Sequence, residues 1–107
     1  MAAVSFSPKA RQDLLDIGDY IAQDNRVNAR RFVGKLIDQC RRIGKAPLAY
    51  PGRQELAADL RVAPLANYSI FFRLVGGTVR IERVLHGARD LQVVLGRHEG
   101  KDNDKAD

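Results

Sequence analysis

The residues best able to do chemistry stand together near the C-terminal end, in the run LHGARD at residues 85–90. This run follows a β-branched and aromatic segment, so it is predicted to lie where a strand ends, a frequent place for function. Histidine can transfer a proton, and arginine can bind a carboxylate or a phosphate. A lone His86 is nevertheless more typical of a structural or solvated side chain than of a general base. Arg89 and Asp90 could equally pair with each other or cap a following helix.

Arg83 is a second candidate, because the predicted hairpin places it on an apolar face. Gly76 and Gly77 can supply the positive φ angles of a two-residue turn between residues 68–75 and 78–86. An unpaired buried charge is too costly, so Arg83 needs a salt bridge to Asp13, Asp16 or Glu55, or else a ligand. The predicted cross-strand pairs are Leu74 with Val79, Phe72 with Ile81, Ile70 with Arg83, and Tyr68 with Leu85.

Other kinds of site find little support in the sequence. Cys40 is the single cysteine, and with only two histidines beside it there is no ligand set for structural zinc. Cys40 is instead expected to be a small buried hydrophobe. Neither a phosphate loop nor a nucleophile elbow is present, and no cofactor is expected. No apolar run approaches the ~20 residues of a membrane span, and the start lacks signal-peptide features, so the expected location is the cytoplasm.

The helices and strands that must position these residues are predicted to form one α+β domain. A chain of 107 residues is too short for a second domain. A short strand at residues 3–6 runs into Ser7-Pro8, a capping pair that begins a helix. Two amphipathic helices follow as an antiparallel hairpin, the second stopping at Gly44 and Pro47. A loop, a short strand at residues 60–63 ended by Pro64, and the long hairpin complete a β-α-α-β-β-β order on a small, mainly antiparallel sheet. A short C-terminal segment closes the domain (residues 1–99), and residues 100–107 form a polar tail expected to be disordered.

The net charge of +5 is unevenly distributed along the chain. Five of the 18 cations are lysine and the other 13 are arginine, a bias toward bidentate contacts with carboxylate or phosphate. Residues 8–24 carry two cations and four acids, whereas residues 26–45 carry seven cations and one acid, a net of +6. An anionic partner is indicated, but charge alone does not choose between nucleic acid and an acidic protein.

From about Val4 to Leu91, the order of elements and their sequence marks resemble the ParE branch of the RelE/ParE toxin family. No single piece is decisive, but their order and spacing over most of the chain make the resemblance specific. The matching pieces are Ser7-Pro8, Ala10, Asp13-Leu14, Tyr20-Ile21-Ala22, Asp24-Asn25, Ala29, Phe32, Gly52-Arg53, Glu55-Leu56, Leu60-Arg61, Tyr68, Ile70 to Arg73, and Arg83 to Asp90.

The resemblance implies the toxin of a type II toxin–antitoxin pair that inhibits DNA gyrase and is neutralised by a ParD-like antitoxin. Specific nucleic-acid binding by the toxin alone is not expected, nor is a membrane partner. In such complexes an acidic antitoxin segment lays an apolar helix across the helical hairpin and a strand near the sheet, so we expect it to contact Leu14, Ile17, Ile21, Phe32, Leu36, Arg61, Arg73 and Arg83. Reversing the charge of Arg61 and Arg83 should then weaken the complex. Gyrase contact and toxicity are expected at His86, Arg89, Asp90, Leu91, Val94 and Leu95.

The RelE branch, which cleaves mRNA on the ribosome, is the alternative. Here Arg61, Arg73, Arg83 and Arg89 could supply charge and His86 a proton. However, residues 48–75 contain no lysine, and a guanidinium stays protonated at pH 7 and cannot act as a base. The nuclease machinery therefore looks incomplete, and the gyrase inhibitor is favoured. An inactive or regulatory toxin-like partner is a third possibility.

Overall fold

The computed structural model describes residues 2–87. The elements are β1 (Val4–Phe6), α1 (Pro8–Ala22), α2 (Arg26–Lys45), a short 3-10 turn (Pro47–Ala49), β2 (Arg61–Leu65), β3 (Tyr68–Val75) and β4 (Thr78–His86). The predicted α+β class and element order are confirmed. The predicted C-terminal segment, including Arg89, Asp90, Leu91, Val94 and Leu95, and the predicted tail at residues 100–107 lie outside the described residues.

A mixed four-stranded sheet, in the order β1-β4-β3-β2, supports both helices. Strand β1 pairs with β4 in parallel, and β2, β3 and β4 form an antiparallel meander. The main core lies between the helices and one sheet face, where Leu36, Ile43 and Phe72 are fully buried. A smaller cluster of Leu56, Leu60, Phe71 and Leu85 covers part of the opposite face. The sheet therefore has a helix face and a back face, each with its own apolar cluster.

Helix α1 begins at the predicted cap, and α2 begins at a cap of the same kind. The Ser7 hydroxyl accepts a hydrogen bond from the Ala10 N–H at 2.9 Å, and Asn25 caps α2 in the same way. Cys40 is fully buried on the inner side of α2, as predicted. Burial raises the pKa of its thiol to about 12, so the side chain is a neutral, unreactive hydrophobe.

Two predictions about the strands were wrong. Strand β2 does not end before Pro64 but continues through it to Leu65, with Pro64 opposite Ser69. Proline is tolerated here because β2 is an edge strand, where a missing N–H costs no ladder bond.

The turn at Gly76-Gly77 and the pairs of Leu74 with Val79 and Phe72 with Ile81 are confirmed.

Beyond Ile81 the predicted register fails, because a β-bulge adds Glu82 to β4. The hydroxyl of Ser7 donates to the Glu82 carbonyl at 2.8 Å, so the α1 cap also holds the bulge. Arg83 consequently pairs with Phe71 rather than Ile70, and Tyr68 pairs with His86 rather than Leu85. A one-residue slip of this kind changes which side chains meet across the strands.

Candidate functional site

The end of β4 carries His86 in an aromatic setting. Its ring meets Tyr68 in a T-shaped arrangement with centroids 4.9 Å apart, and Tyr68 meets Phe32 of α2 at 5.4 Å. The imidazole is nonetheless exposed. Gly87 follows with φ of +67°, a conformation that favours glycine, and its N–H donates to the Asn67 carbonyl at 2.8 Å. His86 is therefore packed on Tyr68 of β3, which in turn contacts Phe32 of α2, and it remains exposed.

Beside His86 lies an open groove of about 200 Å³ between α1 and the end of the sheet. Its helix wall is formed by Asp13, Asp16, Ile17 and Tyr20, and its sheet wall by Tyr68, Val84, Leu85 and His86. Tyr20 is 71% exposed, which is unusual for a large apolar ring. The groove joins acidic, aromatic and imidazole groups and does not enclose a cavity.

Asp13, one of the residues that line this groove, forms a bidentate ion pair with Arg83. Nε and Nη2 of Arg83 donate to the two Asp13 carboxylate oxygens at 2.8 and 2.9 Å. The Val84 N–H donates to the same carboxylate at 2.9 Å, since β1 no longer covers β4 beyond Phe6. The two side chains are only 11% and 16% exposed. Of the three acids that the sequence left open as partners of Arg83, Asp13 is the one observed. Through Asp13, α1 also supplies the hydrogen-bond acceptor for the Val84 N–H of β4.

The other arginines of the sheet region also have partners within the protein. Arg61 donates to the Tyr50 carbonyl at 2.6 Å. Arg53 hydrogen-bonds Glu55, which holds the pKa of that carboxyl below its ordinary value. Arg80 pairs with Glu82 at 3.4 Å.

Arg73 is the exception in the sheet. It lies directly opposite Arg80 across β3 and β4, so two like charges face each other on the back face. Its Nε is buried without a hydrogen-bond partner within residues 2–87. Of the three sheet cations predicted to meet the antitoxin, Arg73 is thus the one not engaged by a carboxylate or carbonyl in the described part of the chain.

The apolar residues predicted on the hairpin point mainly into the core. Ile17 and Leu36 are 7% and 0% exposed, and Leu14, Ile21 and Phe32 are half-buried against the same cluster. The exposed large apolar residues of the helices are instead Leu15, Tyr20 and Val27. Sequence reasoning missed them because they lie off the main apolar stripe. That departure from the stripe was itself the signal that could have found them.

Arg73 and His86 do not share one face of the sheet. Residues Tyr68, Ile70 and Phe72 belong to the helix-face core, whereas Phe71 belongs to the back-face cluster. Because side chains alternate along β3, Arg73 projects from the back face, while His86 packs on Tyr68 at the helix face. No cluster of residues able to hold a metal ion occurs within residues 2–87. The described residues therefore do not assemble an acid and several cations around one point.

Comparisons with known proteins agree with this architecture. The profile of the family described as ParE toxin of type II toxin-antitoxin system, parDE, matches residues 4–91. A chain of the chromosomal ParDE toxin–antitoxin system from P. aeruginosa superposes with a TM-score of 0.72 at 23% identity, covering 82% of this chain and 98% of that one. A chain of the RelBE2 toxin–antitoxin complex from Mycobacterium tuberculosis gives a TM-score of 0.61 at 26% identity, covering 79% and 96%. No curated protein sequence matches.

The family match spans the whole described fold, from β1 through the end of β4. In the described part of the chain, no helix is long and apolar enough to cross a membrane. The chain belongs to the ParE toxin family of type II toxin–antitoxin systems.

Proposed function

We propose that this toxin acts on DNA gyrase by protein–protein contact and is neutralised by a ParD-like antitoxin. The observation that supports a binding mechanism is the placement of His86 and Arg73 on opposite faces of the sheet. Arg61 already donates a hydrogen bond to the Tyr50 carbonyl, and Arg83 already pairs with Asp13. Ribose cleavage needs a base, an acid and a cation around one phosphate, and these side chains are not gathered in that way.

Purified gyrase and a translation reaction separate the proposed function from its alternative. We expect the full chain to inhibit gyrase supercoiling and to leave the mRNA of an in vitro translation reaction intact. Cleaved mRNA with normal supercoiling would instead establish a RelE-like ribonuclease. The structural similarity to a chain of the RelBE2 complex is the reason to test this alternative. A chain without effect in either assay would be a regulatory or inactive member.

For the gyrase contact we propose the groove beside His86 together with the segment up to Leu95. Tyr20 and His86 present an aromatic ring and an imidazole at the groove. Exposed aromatic rings next to polar groups are frequent anchors in protein interfaces. Arg89, Asp90, Leu91, Val94 and Leu95 remain part of this proposal.

Two variants test that placement. Tyr20→Ala should reduce supercoiling inhibition about tenfold or more, as expected for loss of an interface anchor. Leu48→Ala is the matched control, because Leu48 is similarly exposed (67%) but lines a different depression. Deleting the residues after Leu91 should abolish inhibition and spare antitoxin binding. Full inhibition by the truncated chain, or equal losses in Tyr20→Ala and Leu48→Ala, would refute the placement.

For the antitoxin we propose an apolar helix lying along the outer groove between α1 and α2. Gly18 brings the helices together here, since a Cβ at this position would stand 3.4 Å from Cγ2 of Val33. Helical spacing puts Leu15 beside Gly18 and Ile37 beside Val33, so this groove offers apolar side chains around a small residue. Leu14, Ile21 and Phe32 pack against the core cluster that contains Ile17 and Leu36, and all five remain part of this proposal.

The structure changes the variants that test antitoxin binding. Reversing the charge of Arg61 or Arg83 would break an internal contact, so lost binding could reflect lost folding. Leu15→Asp and Arg73→Glu avoid that difficulty, because Leu15 is 62% exposed and Arg73 faces another arginine. We expect both to weaken the complex at least tenfold. Unchanged affinity in both would exclude the hairpin groove and the back face of the sheet.

A further inference from the structure

The outer side of α2 is a strongly basic surface. Seen along the helix, its exposed positions lie opposite the buried stripe of Leu36, Cys40 and Ile43. We define the basic face as the exposed cations Arg30, Arg31, Lys35, Arg41, Arg42 and Lys45.

Little within residues 2–87 neutralises this face. Asp38 is the only acid of α2, and it pairs with Arg41 at 3.2 Å. Arg42 donates to the side chain of Gln39 at 3.0 Å, which leaves its charge intact. Arg31 and Lys35 have neither an ion pair nor a side-chain hydrogen bond to any residue between 2 and 87.

The basic face also lacks the features of a peptide-binding surface. Val27, in the first turn, is the only large exposed hydrophobic residue of α2. Protein partners bind tightly through buried apolar or aromatic anchors surrounded by polar residues. A phosphate backbone needs cations alone, because its affinity comes from the release of condensed counterions. Charge without apolar anchors therefore favours a nucleic-acid backbone over an acidic protein segment.

We propose that the basic face of α2 binds the phosphate backbone of duplex DNA without reading its bases. Arg31, Lys35 and Arg42 follow one side of the helix over 11 residues, or about 17 Å. That length of duplex carries about ten phosphate charges on its two strands, so each of the three cations has a phosphate within reach. Arginine and lysine both suit this role, the former by forked hydrogen bonds and the latter as a point charge.

The three cations of this contact, Arg31, Lys35 and Arg42, lie apart from the two protein-binding surfaces proposed above. Gln39, which lies beside Lys35 and Arg42 on α2, donates to the Pro64 carbonyl of β2 at 3.4 Å. That side of α2 therefore faces away from α1 and from the hairpin groove. The binding of DNA does not depend on whether gyrase or mRNA is the target, and a toxin held on DNA would be concentrated near any enzyme that works on DNA.

The test measures binding of the full chain to a fluorescent 20-base-pair duplex of arbitrary sequence, by anisotropy over a series of salt concentrations. We expect the logarithm of the binding constant to fall against the logarithm of salt with a slope of about −3, since three phosphates are contacted. Arg31→Gln and Lys35→Gln should each reduce that slope by about one and weaken binding roughly fivefold near 100 mM salt. Circular dichroism melting confirms that each variant folds.

Two controls separate a defined surface from general basic character. Arg11→Gln removes an exposed cation from α1 and should leave the slope unchanged. Lys35→Gln combined with Gln12→Lys keeps the net charge but moves one cation to α1, and it should bind as weakly as Lys35→Gln alone. Equal losses in Arg11→Gln and Lys35→Gln, or recovery in the combined variant, would overturn the proposal.

A third arm asks whether an acidic peptide fits the face better. A 20-residue polyglutamate is titrated against the same variants under the same conditions. We expect it to bind at least tenfold more weakly than the duplex, because its charges cannot release an equally dense counterion layer. If polyglutamate binds as tightly as DNA and shows the same dependence on Arg31 and Lys35, the face is a protein-docking surface and the DNA proposal is wrong.

Discussion

The arginines of the sheet and the cations of α2 are the same residue types in opposite situations. Arg83 is largely buried and bound by two oxygens of Asp13, and Arg61 is bound by a backbone carbonyl. Arg31 and Lys35 stand exposed on α2 and form no ion pair within the described part of the chain. The first group contributes to folding, whereas the second leaves its charge available to partners.

This difference shows why net charge is a poor guide to the location of a binding surface. The sequence placed the antitoxin-docking cations mainly on the sheet, where the arginines interrupt apolar strands. A guanidinium inside an apolar layer must find an internal partner, because an unpaired charge there costs several kcal/mol. The exposed helix has no such constraint. The cations that look most conspicuous in the pattern are therefore the least available for binding.

The largest predicted effect concerns Asp13. Asp13→Ala leaves the charge of Arg83 and the N–H of Val84 without the carboxylate that both contact. Removing one partner of a buried pair typically costs 3–5 kcal/mol, so we expect the free energy of unfolding to fall by about 3 kcal/mol or more. Urea denaturation followed by circular dichroism measures this loss.

Asp16→Ala provides the matched control for Asp13→Ala. Asp16 lies one turn further along α1, is exposed, and accepts a hydrogen bond from the Gln12 side chain at 2.8 Å, with no ion pair to any residue between 2 and 87. Its loss should change the free energy of unfolding by less than about 0.5 kcal/mol. Equal and small effects at both positions would mean that the Asp13–Arg83 pair contributes no more to folding than a surface charge does.

The next effect in size is expected at Arg61. Arg61→Gln removes a charge-assisted hydrogen bond to the Tyr50 carbonyl, and such bonds contribute about 1.5–3 kcal/mol. We expect a loss of about 1–2 kcal/mol in urea denaturation, because the shorter amide can recover part of the contact. Arg31→Gln, the same change on α2, should be neutral within about 0.5 kcal/mol. If Arg61→Gln left the free energy of unfolding unchanged, Arg61 would not count among the arginines that stabilise the fold.

Arg73 differs from the other sheet arginines, because replacing it is expected to raise the free energy of unfolding. The change should be smaller than the losses expected at Asp13 and Arg61. Like charges directly opposite on neighbouring strands are destabilising, and Arg73 faces Arg80. Arg73→Thr relieves this repulsion with a residue that favours strands, so it should raise the free energy of unfolding by about 0.5 kcal/mol. Thermal melting at low and high salt checks the cause, since the gain should shrink as salt screens the two charges. A destabilised Arg73→Thr would show that this arginine, like Arg61, contributes to folding.

Periodicity and capping residues were enough to predict the helices, the glycine turn and the α+β order. They depend on local patterns that survive in the fold, such as Ser7-Pro8 before α1 and Gly76-Gly77 before β4. The bulge at Glu82 was not predictable, because it depends on the distant Ser7 hydroxyl that holds its carbonyl. The partner of Arg83 could be narrowed to three acids but not chosen, since the choice depends on how α1 crosses the sheet edge.

For the candidate site, the sequence predicted that His86 ends the last long strand but not what surrounds it. The corrected register brings Tyr68 opposite His86, and with it the aromatic contact to Phe32. Leu36, one of the residues expected to contact the antitoxin, fills the core together with Cys40, which was predicted to be buried. An apolar stripe shows which side of a helix is covered, and here the sheet of the same chain covers it.

The smallest predicted effect lies on α2 and separates stability from binding. Lys35→Glu places an acid among Arg31, Arg42 and their neighbours, relieving repulsion on a helix that carries a net charge of +6. Pairs spaced by four residues contribute about 0.2–0.5 kcal/mol, so melting should show a slight stabilisation. The same variant should bind duplex DNA at least tenfold more weakly, because one phosphate contact becomes a repulsion. Asp13→Ala should show the reverse, with large destabilisation and no loss of DNA affinity at temperatures where the protein remains folded. If Lys35→Glu instead lowers stability and leaves DNA binding intact, the cations of α2, like the arginines of the sheet, contribute to folding and do not bind DNA.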